Sequence, residues 1–344
     1  MATLGSVMAE YGIRQTERQA PRLGPWPALA CPSDGNPLIE APDHVSCAAG
    51  HRYPIIAEIP RFVPATTYAD HFGEQWKRYR LTQLDSYTGV PISRDRLRRC
   101  FGETLWNNLD ALDVLECGCG AGRFTEVLLD QGARVTSIDL SAAVDANVEN
   151  FPVGPMHRVA QADIVALPFE KQRFDVVACL GVIQHTPSPE LTIQRLYDHV
   201  RPGGRLIIDH YTYEAGWYTK TAPLFRAVLK RLPTDVSMRF TERLVNLALP
   251  LHKRVSGSRL RSLVYRISPV LTHYQTYPEL DDELQRQWAL LDTHDSLTDY
   301  FKHFRTRGQV RRLLEGMGLE EIWCEYGGNG VEAHGRRPAR ETLG

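Results

Sequence analysis

Short apolar runs and helical patterns alternate through the middle of the chain. Most of the runs are rich in Val, Leu and Ile and have the length of buried strands. They are residues 113–117, 134–138, 158–161, 173–180 and 205–208. Helical patterns lie between them, at 123–130 and 189–200. Strands that alternate with helices predict an α/β, doubly wound fold, in which helices cover both faces of a parallel sheet.

The last part of the chain has a different pattern. Residues 318–326 and 330–335 read as two strands with Gly327, Gly328 and Asn329 between them. A short glycine-containing connection of this kind is typical of a β-hairpin. The sequence therefore predicts an antiparallel pair of strands near its C-terminal end.

A glycine-rich turn follows the first strand of the predicted sheet. Gly118, Gly120 and Gly122 stand between that strand and a helix. Glycine has no Cβ, so the backbone can approach a ligand closely, and the helix start offers free N–H groups. Asp139 ends the second strand about 20 residues past the turn, where a ribose-binding carboxylate belongs. The spacing is G-x-G-x-G rather than the G-x-G-x-x-G of dinucleotide-binding folds.

With Glu116 ahead of it, the turn resembles the first motif, E/D-x-G-x-G-x-G, of the class I S-adenosylmethionine (SAM) methyltransferases. Later segments are similar to further motifs of that family, in the same order. They are Ala162-Asp163-Ile164, Leu167-Pro168-Phe169, Phe174-Asp175-Val176-Val177, Gly181 to Pro187 and Arg201-Pro202-Gly203-Gly204. The resemblance covers residues 110–212 and returns in the C-terminal hairpin. It implies a Rossmann-like, seven-stranded sheet, SAM as the cofactor and methyl transfer as the activity.

The resemblance also implies roles for individual residues. Asp139 should bind the ribose hydroxyls. Asp163 should bind the adenine amino group, and Ile164 should pack against the adenine ring. Glu116, Gly118 and Gly120 should frame the methionine moiety. The complete set expected to bind the cofactor is Glu116, Gly118, Cys119, Gly120, Gly122, Phe124, Asp139, Leu140, Asp163, Ile164, Leu180, Gly181, Trp76 and Gln83.

His185 is the candidate catalytic residue. It follows the end of a predicted strand, where ligands lie in open α/β sheets, and its unperturbed pKa is near neutrality. SAM is already activated, so catalysis rests largely on positioning, but a hydroxyl acceptor also needs a general base. A structural role for His185 in shaping its loop stays open. His210, Tyr211 and His294 are the alternative candidates.

The N-terminal part divides into two regions. Residues 1–28 lack periodicity and are expected to be disordered. Residues 29–64 resemble a small zinc ribbon of the kind fused to some methyltransferases. Cys31, Asp34, Cys47 and His51 could supply a tetrahedral zinc site, since carboxylate and imidazole are zinc ligands as well as thiolate. Asp34 stands where the usual pattern has cysteine, so a degenerate ribbon without metal is the alternative.

Residues 65–110 are expected to form helices that cap the cofactor site. Phe72 to Trp76 and Gln83 to Ser86 are similar to the F-G-x-Q-W and Q-L-D-S segments found upstream of the glycine turn in one methyltransferase subgroup. That similarity implies that Trp76 and Gln83 lie over the methionine end of SAM. The alternative is a plain amphipathic helix in which Trp76 is a core residue.

Residues 213–309 interrupt the core, which we assign to 111–212 and 310–337. Helical patterns at 222–232, 236–249 and 258–267 are punctuated by prolines, which predicts a helical subdomain. The stretch 226–266 carries ten Lys or Arg against two acidic residues. These charges are either solvated helix faces or part of a lid that selects an anionic small-molecule substrate, for which Arg259 and Arg261 are candidates.

Composition limits the functional classes. The 344 residues are 43% hydrophobic and 24% charged, with a net charge of −1, which argues against a nucleic-acid partner. The seven scattered cysteines suggest a reducing cytosol. No apolar run is long enough to span a bilayer, and a cytoplasmic location is expected. A small-molecule methyltransferase, acting on a sugar or secondary metabolite, is favoured. An RNA methyltransferase and a non-catalytic SAM-binding protein remain alternatives.

Overall fold

The computed structural model describes residues 26–64, 67–213 and 221–339 of the chain. Most of the segment predicted to be disordered therefore lies outside the described residues. Residues 26–28 are the exception, and there the structure differs from the prediction. The Trp26 ring packs against the guanidinium groups of Arg134 and Arg158, 4.8 and 4.9 Å from its centroid. These cation–π contacts order the chain before the first strand.

A small antiparallel sheet comes first. Its four strands are β1 (Leu38–Glu40), β2 (His44–Cys47), β3 (Arg52–Ile56) and β4 (Ile59–Pro60), in that spatial order. Arg61, directly after β4, donates a 3.0 Å hydrogen bond to Gln161 Oε1, and Phe62 N–H donates to Gln161 O. The small sheet is thus attached to one edge of the large sheet described below.

Four helices follow and cover one end of the core. They are α1 (Asp70–Arg78), α2 (Asp85–Thr88), α3 (Ile92–Phe101) and α4 (Glu103–Trp106). The Asp85 carboxylate accepts hydrogen bonds from the N–H groups of Ser93 and Arg94, both at 2.8 Å, and so satisfies free donors in the first turn of α3. Leu97 and Phe101 of α3 are fully buried in the core.

The core alternates strands and helices. Its elements are β5 (Asp113–Cys117), α5 (Arg123–Asp130), β6 (Arg134–Asp139), α6 (Ala143–Asn150), β7 (His157–Gln161), β8 (Phe174–Cys179), α7 (Pro189–His199) and β9 (Val200–Tyr211). Two short 3-10 turns, Ile164–Ala166 and Ile183–His185, follow β7 and β8. Both turns lie at the carboxyl ends of the strands.

The insertion is helical, as predicted, but its helices differ from the prediction. They are α8 (Ala222–Leu229), α9 (Thr234–Val255), α10 (Arg261–Ile267) and α11 (Asp282–Thr298). Helix α9 continues through Pro250, where we expected it to end, because buried His252 and Val255 hold its last turn against neighbouring residues. Helix α11 was not predicted.

The chain then returns to the core and completes the large sheet. Helix α12 (Arg307–Gly316) begins with a capping box formed by Thr306 and Gln309. The strands β10 (Glu320–Gly327) and β11 (Gly330–Arg336) form the predicted hairpin.

The large sheet has seven strands in the order β10-β11-β9-β8-β5-β6-β7. The strands from β9 to β7 are parallel to their neighbours, and β11 is antiparallel to both β9 and β10. This arrangement confirms the predicted α/β, Rossmann-like fold with an antiparallel C-terminal hairpin and a small N-terminal sheet. Within the described ranges no helix has both the length and the apolar character needed to cross a membrane.

Candidate functional site

A cavity of about 940 Å³ opens at the carboxyl ends of the parallel strands. Ligands of open α/β sheets bind at this edge. The turn after β5 forms its floor, α1 and the residues after it form one wall, and the insertion forms the opposite wall. The hairpin turn 327–330 closes the side nearest β9. Four separate segments of the sequence thus meet at one site.

The glycine turn forms the floor because its backbone adopts conformations that favour glycine. Gly118 and Gly120 have φ angles of 77° and 51°, and both line the cavity. A Cβ added at Gly118 would lie 2.2 Å from Val182 Cγ2, and one at Gly120 would lie 3.1 Å from Trp76 Cε2. Only glycine fits position 118 without displacing a neighbour.

Asp139 lies beside this turn at the end of β6. Its Oδ2 accepts a hydrogen bond from Gly120 N–H (3.0 Å), and its Oδ1 accepts from the N–H (2.8 Å) and hydroxyl (2.7 Å) of Ser141. Burial nevertheless raises the pKa of Asp139 above its ordinary value. The carboxylate is therefore oriented by the turn and lies at the cavity wall.

Asp163 and Ile164 line the cavity next to β7. Asp163 Oδ1 accepts a hydrogen bond from Val165 N–H (3.0 Å) and caps the 3-10 turn that holds Ile164. Tyr68 lies in the same part of the cavity. Burial, and then the charges of Asp163 and Asp139, raise the pKa of its phenol well above the ordinary value.

All the predicted cofactor-binding residues line the cavity except Glu116 and Gly122. Glu116 is buried behind the turn, where its Oε2 accepts hydrogen bonds from Thr125 Oγ1 (2.5 Å) and Ser137 Oγ (2.9 Å). A Cβ at Gly122 would lie 2.7 Å from the Phe151 ring. The expected direct contact of Glu116 with the methionine moiety thus needs correction, because its side chain supports the turn from behind.

A polar network joins the floor of the cavity to the insertion. Arg123 Nη1 donates to Gln83 Oε1 (3.1 Å), and Gln83 Nε2 donates to Asp292 Oδ1 (3.4 Å). Asp292 Oδ2 in turn lies 2.8 Å from His273 Nε2. The network explains why Gln83, which was predicted from the Q-L-D-S segment, lies at the cavity.

The sequence analysis missed Arg123, the residue directly after the glycine turn. Its guanidinium lies 4.9 Å from the Phe124 ring centroid and 5.4 Å from that of Trp288. Burial, and then the positive charge of Arg96, lower the pKa of Arg123 to about 10. Among the described residues, no carboxylate forms an ion pair with Arg123. A buried cation of this kind favours an anionic ligand group.

His185 lies on the wall of the same cavity, in the turn after β8. Its Nδ1 lies 3.3 Å from Asp299 Oδ2 and 3.2 Å from Phe301 O. A carbonyl oxygen can only accept, so Nδ1 carries a proton and Nε2 of the neutral ring is basic. Burial lowers the pKa of His185, but the hydrogen bond to Asp299 and the charge of Asp295 outweigh it and raise the pKa above the ordinary value.

Two further ionisable residues lie next to His185. Asp295 lines the cavity, and burial raises its pKa to about 6. Lys302 Nζ donates to Ser296 O (3.1 Å) and lies 3.4 Å from Asp299 Oδ2. Asp295 belongs to the unpredicted helix α11, and Lys302 follows it.

The alternative base candidates lie in different places. Tyr211 lines the cavity with its ring edge-on to His185 at 5.2 Å. His210 lies outside this cavity, and burial lowers its pKa to about 4. His294 also lies outside it and contacts Gln75 and Ser237.

The candidate metal ligands of the small sheet lie together. Cys31, Asp34, Cys47 and His51 each offer a donor atom, and these atoms lie within 4.8 Å of one another. His51 Nδ1 lies 3.5, 3.0 and 3.4 Å from the donors of the other three. Zinc bonds of about 2.0–2.3 Å in a tetrahedron place ligand atoms roughly 3.3–3.8 Å apart. The distances from His51 lie near this range and all four donors lie within 4.8 Å of one another, so the four residues form a candidate zinc site.

The basic stretch of the insertion does not face the main cavity. None of its ten Lys or Arg residues lines it, Arg259 and Arg261 included. Two of them instead pair with acidic residues far along the chain, Arg226 with Asp299 and Lys253 with Asp282. The expectation that Arg259 and Arg261 hold an anionic substrate is thus wrong for this cavity.

Part of the core resembles known proteins in sequence. Residues 115–208 match the family model described as "Methyltransferase domain". The ubiquinone biosynthesis O-methyltransferase of Pseudomonas entomophila (strain L48) is 28% identical over 172 residues, 49% of this chain and 74% of that protein. The enzyme of the same name from Coxiella burnetii (strain Dugway 5J108-111) is 31% identical over 110 residues, 31% of this chain and 47% of that protein.

The chain also aligns with solved structures of methyltransferases at low identity. Magnesium protoporphyrin IX methyltransferase from Synechocystis PCC 6803, with bound SAH, aligns with a TM-score of 0.42 at 16% identity, over 78% of this chain and 96% of that one. An O-methyltransferase family protein from Burkholderia thailandensis aligns with a TM-score of 0.45 at 12% identity. The alignment covers 75% of this chain and 60% of that one. The sequence matches support a SAM-dependent methyltransferase.

Proposed function

We propose that this protein transfers a methyl group from SAM to a hydroxyl group of a small-molecule acceptor. The cavity residues fit the cofactor chemically. Asp139 and Asp163 offer carboxylates for ribose hydroxyls and an adenine amino group, and Arg123 offers a cation for the methionine carboxylate. SAM, when bound, supplies an activated methyl group on a sulfonium.

The observation that carries the proposal is the position of His185 on the same cavity as Asp139. Asp299 and the Phe301 carbonyl hold the imidazole with its proton on Nδ1. In this tautomer Nε2 is the basic nitrogen of the ring, and we assign to it the removal of the proton from an acceptor hydroxyl, which is what O-methylation requires of the protein. The hydrogen bond to Asp299 also stabilises the imidazolium that results.

The lining of the cavity favours a small, ring-bearing acceptor. The insertion contributes the aromatic side chains Tyr265, Tyr277 and Trp288, and the hairpin adds Tyr326. Aromatic faces pack well against sugar or phenolic rings. The name of the Pseudomonas relative, an O-methyltransferase of ubiquinone biosynthesis, supports methylation of oxygen, and a sugar or secondary metabolite remains our proposed substrate class.

Two measurements test the proposal. Calorimetry should detect SAM binding to the wild-type protein, and labelled SAM with fractionated small metabolites should give a labelled product. His185→Gln should retain SAM binding and lose turnover. His252→Gln, at a buried histidine of the insertion that does not line the cavity, is the matched control. Absence of SAM binding, or equal turnover in both variants, would contradict the proposal.

A further inference from the structure

A second cavity of about 260 Å³ adjoins the main one. Its lining includes four cations, namely Arg226, Lys230, Arg231 and Lys302. Lys302 and Phe304 line both cavities, so they form the boundary between the two spaces. Among the described residues no acidic side chain lines this second cavity. Its volume is several times the roughly 30 Å³ of one water, so it has room for a compact polyatomic group.

Two buried carboxyl groups, Asp299 and Asp295, lie near these four cations. Asp299 is fully buried and pairs with Arg226 at 2.5 Å and with Lys302 at 3.4 Å. Lys230 lies 5.6 Å from the centroid of the Tyr300 ring, and Arg231 donates to the carbonyl of Ala227. These four cations therefore outnumber the two carboxyl groups near them.

Two of these cations are largely removed from water. The side chains of Arg226 and Lys302 are 19% and 6% exposed. Partly desolvated cations are stabilised by an anion that they can reach together, and guanidinium groups match the oxygens of a phosphoryl group in pairs. The arrangement is therefore suited to a compact anion with several oxygens.

We propose that this second cavity binds a phosphoryl group carried by the methyl acceptor, whose ring occupies the main cavity. The inference rests on the proposed function, because it places the acceptor between His185 and the second cavity. Lys302 and Phe304 would contact the acceptor where it passes from one space to the other. The site lies in the insertion but uses different residues from Arg259 and Arg261.

The first experiment measures anion binding directly. Inorganic phosphate is titrated into the wild-type protein at constant ionic strength and followed by calorimetry. The double variant Lys230→Gln with Arg231→Gln should weaken phosphate binding by about tenfold or more, since two charge-assisted contacts are lost. Arg259→Gln with Arg261→Gln removes the same charge from the same insertion outside the cavity and should leave binding unchanged. No phosphate binding to wild type, or equal weakening in both variants, overturns the site.

The second experiment separates an acceptor phosphoryl group from free phosphate. Metabolite fractions that accept a methyl group are treated with alkaline phosphatase, which is then removed. Loss of methyl acceptance supports a phosphorylated acceptor. Unchanged acceptance overturns that part of the proposal and assigns the cavity to free phosphate. SAM binding of the Lys230, Arg231 variant should equal that of wild type. Failure of wild type to bind SAM would refute the proposed function while leaving the phosphate titration interpretable.

Discussion

His185 Nδ1 lies 3.3 Å from Asp299 Oδ2, and the other carboxylate oxygen of Asp299 accepts from Arg226 Nε. One buried carboxylate thus joins the candidate base to a cation of the second cavity. Arg226 and Lys302, together with the hydrogen bond from His185, lower the pKa of Asp299 despite its burial. Asp299 therefore stays ionised next to the imidazole.

This pair predicts the pH dependence of turnover. A general base must be neutral, so kcat should fall as the pH falls through the pKa of His185, which Asp299 raises above 6.5 against the effect of burial. Asp299→Asn should move this acidic limb of the kcat profile to lower pH. Asp282→Asn, at an exposed ion pair of the same insertion, is the control. An unshifted limb in Asp299→Asn would contradict the role of the pair.

Replacing His185 itself should change kcat more than replacing Asp299. His185→Ala should lower kcat by about 10²–10⁴, the usual contribution of general-base catalysis, and change SAM affinity much less. Single-turnover kinetics at saturating SAM measure this directly. Turnover near that of wild type would instead support the alternative in which His185 only shapes its loop.

Asp139 should contribute mainly to cofactor affinity. Its carboxylate faces the cavity and is held by Gly120 and Ser141. Asp139→Ala should weaken SAM binding by roughly 1.5–3 kcal/mol, the scale of hydrogen bonds to a charged group. Ser141→Ala, which removes one support of the carboxylate outside the cavity, should cost less. If calorimetry gives the two variants equal affinity for SAM, Asp139 only supports the glycine turn and does not contact the cofactor.

Glu116 gives a prediction about stability. Burial raises its pKa from 4.5 to about 7, so the folded protein holds the proton more tightly than the unfolded chain. This stabilisation is fully present below pH 4.5 and is lost as the pH rises through 7. Glu116→Gln cannot ionise. The free energy of unfolding of Glu116→Gln minus that of wild type should therefore increase between pH 4.5 and 8, by up to about 3 kcal/mol.

Urea denaturation across that pH range measures the difference. Glu149→Gln, at an exposed position, should show no such trend and serves as the control. A constant difference between Glu116→Gln and wild type would mean that Glu116 has an ordinary pKa in the folded protein.

The sequence predicted the sheet, and most of the residues expected to bind the cofactor line the cavity, because those signals are local. Each strand is a short apolar run, and Gly118 and Gly120 are required by backbone conformation within one turn. Asp139 and Asp163 follow directly from the strand ends. Position in the chain therefore fixes their place at the carboxyl edge of the sheet.

The side of the cavity that we propose for the methyl acceptor could not be predicted in the same way. Helix α11 has buried residues around most of its circumference, Trp288, Leu291 and Leu297 among them, so it lacks the single apolar stripe that identifies a surface helix. The pairing of Asp299 with His185 joins distant segments and has no local pattern. The basic stretch was ambiguous for the same reason, since its partners, such as Asp299 and Asp282, lie far along the chain.

The four donors of the small sheet lead to the last prediction. Cys31, Asp34, Cys47 and His51 form a candidate zinc site, but a carboxylate replaces one of the usual thiolates, and thiolates are strong ligands of zinc. We expect wild-type protein dialysed against a chelator to retain less than one equivalent of zinc. Asp34→Cys should retain a full equivalent, because it restores the thiolate at a position already within reach of the other donors.

Ser33→Cys is the matched control, since it adds a thiol beside the cluster at a side chain that bonds Tyr53 instead. It should behave as wild type. Metal analysis by mass spectrometry measures all three proteins. A full equivalent retained by wild type would show that the carboxylate is as good a ligand here as a thiolate. Zinc absent from both wild type and Asp34→Cys would mean that the small sheet is stable through its own packing and its attachment to β7.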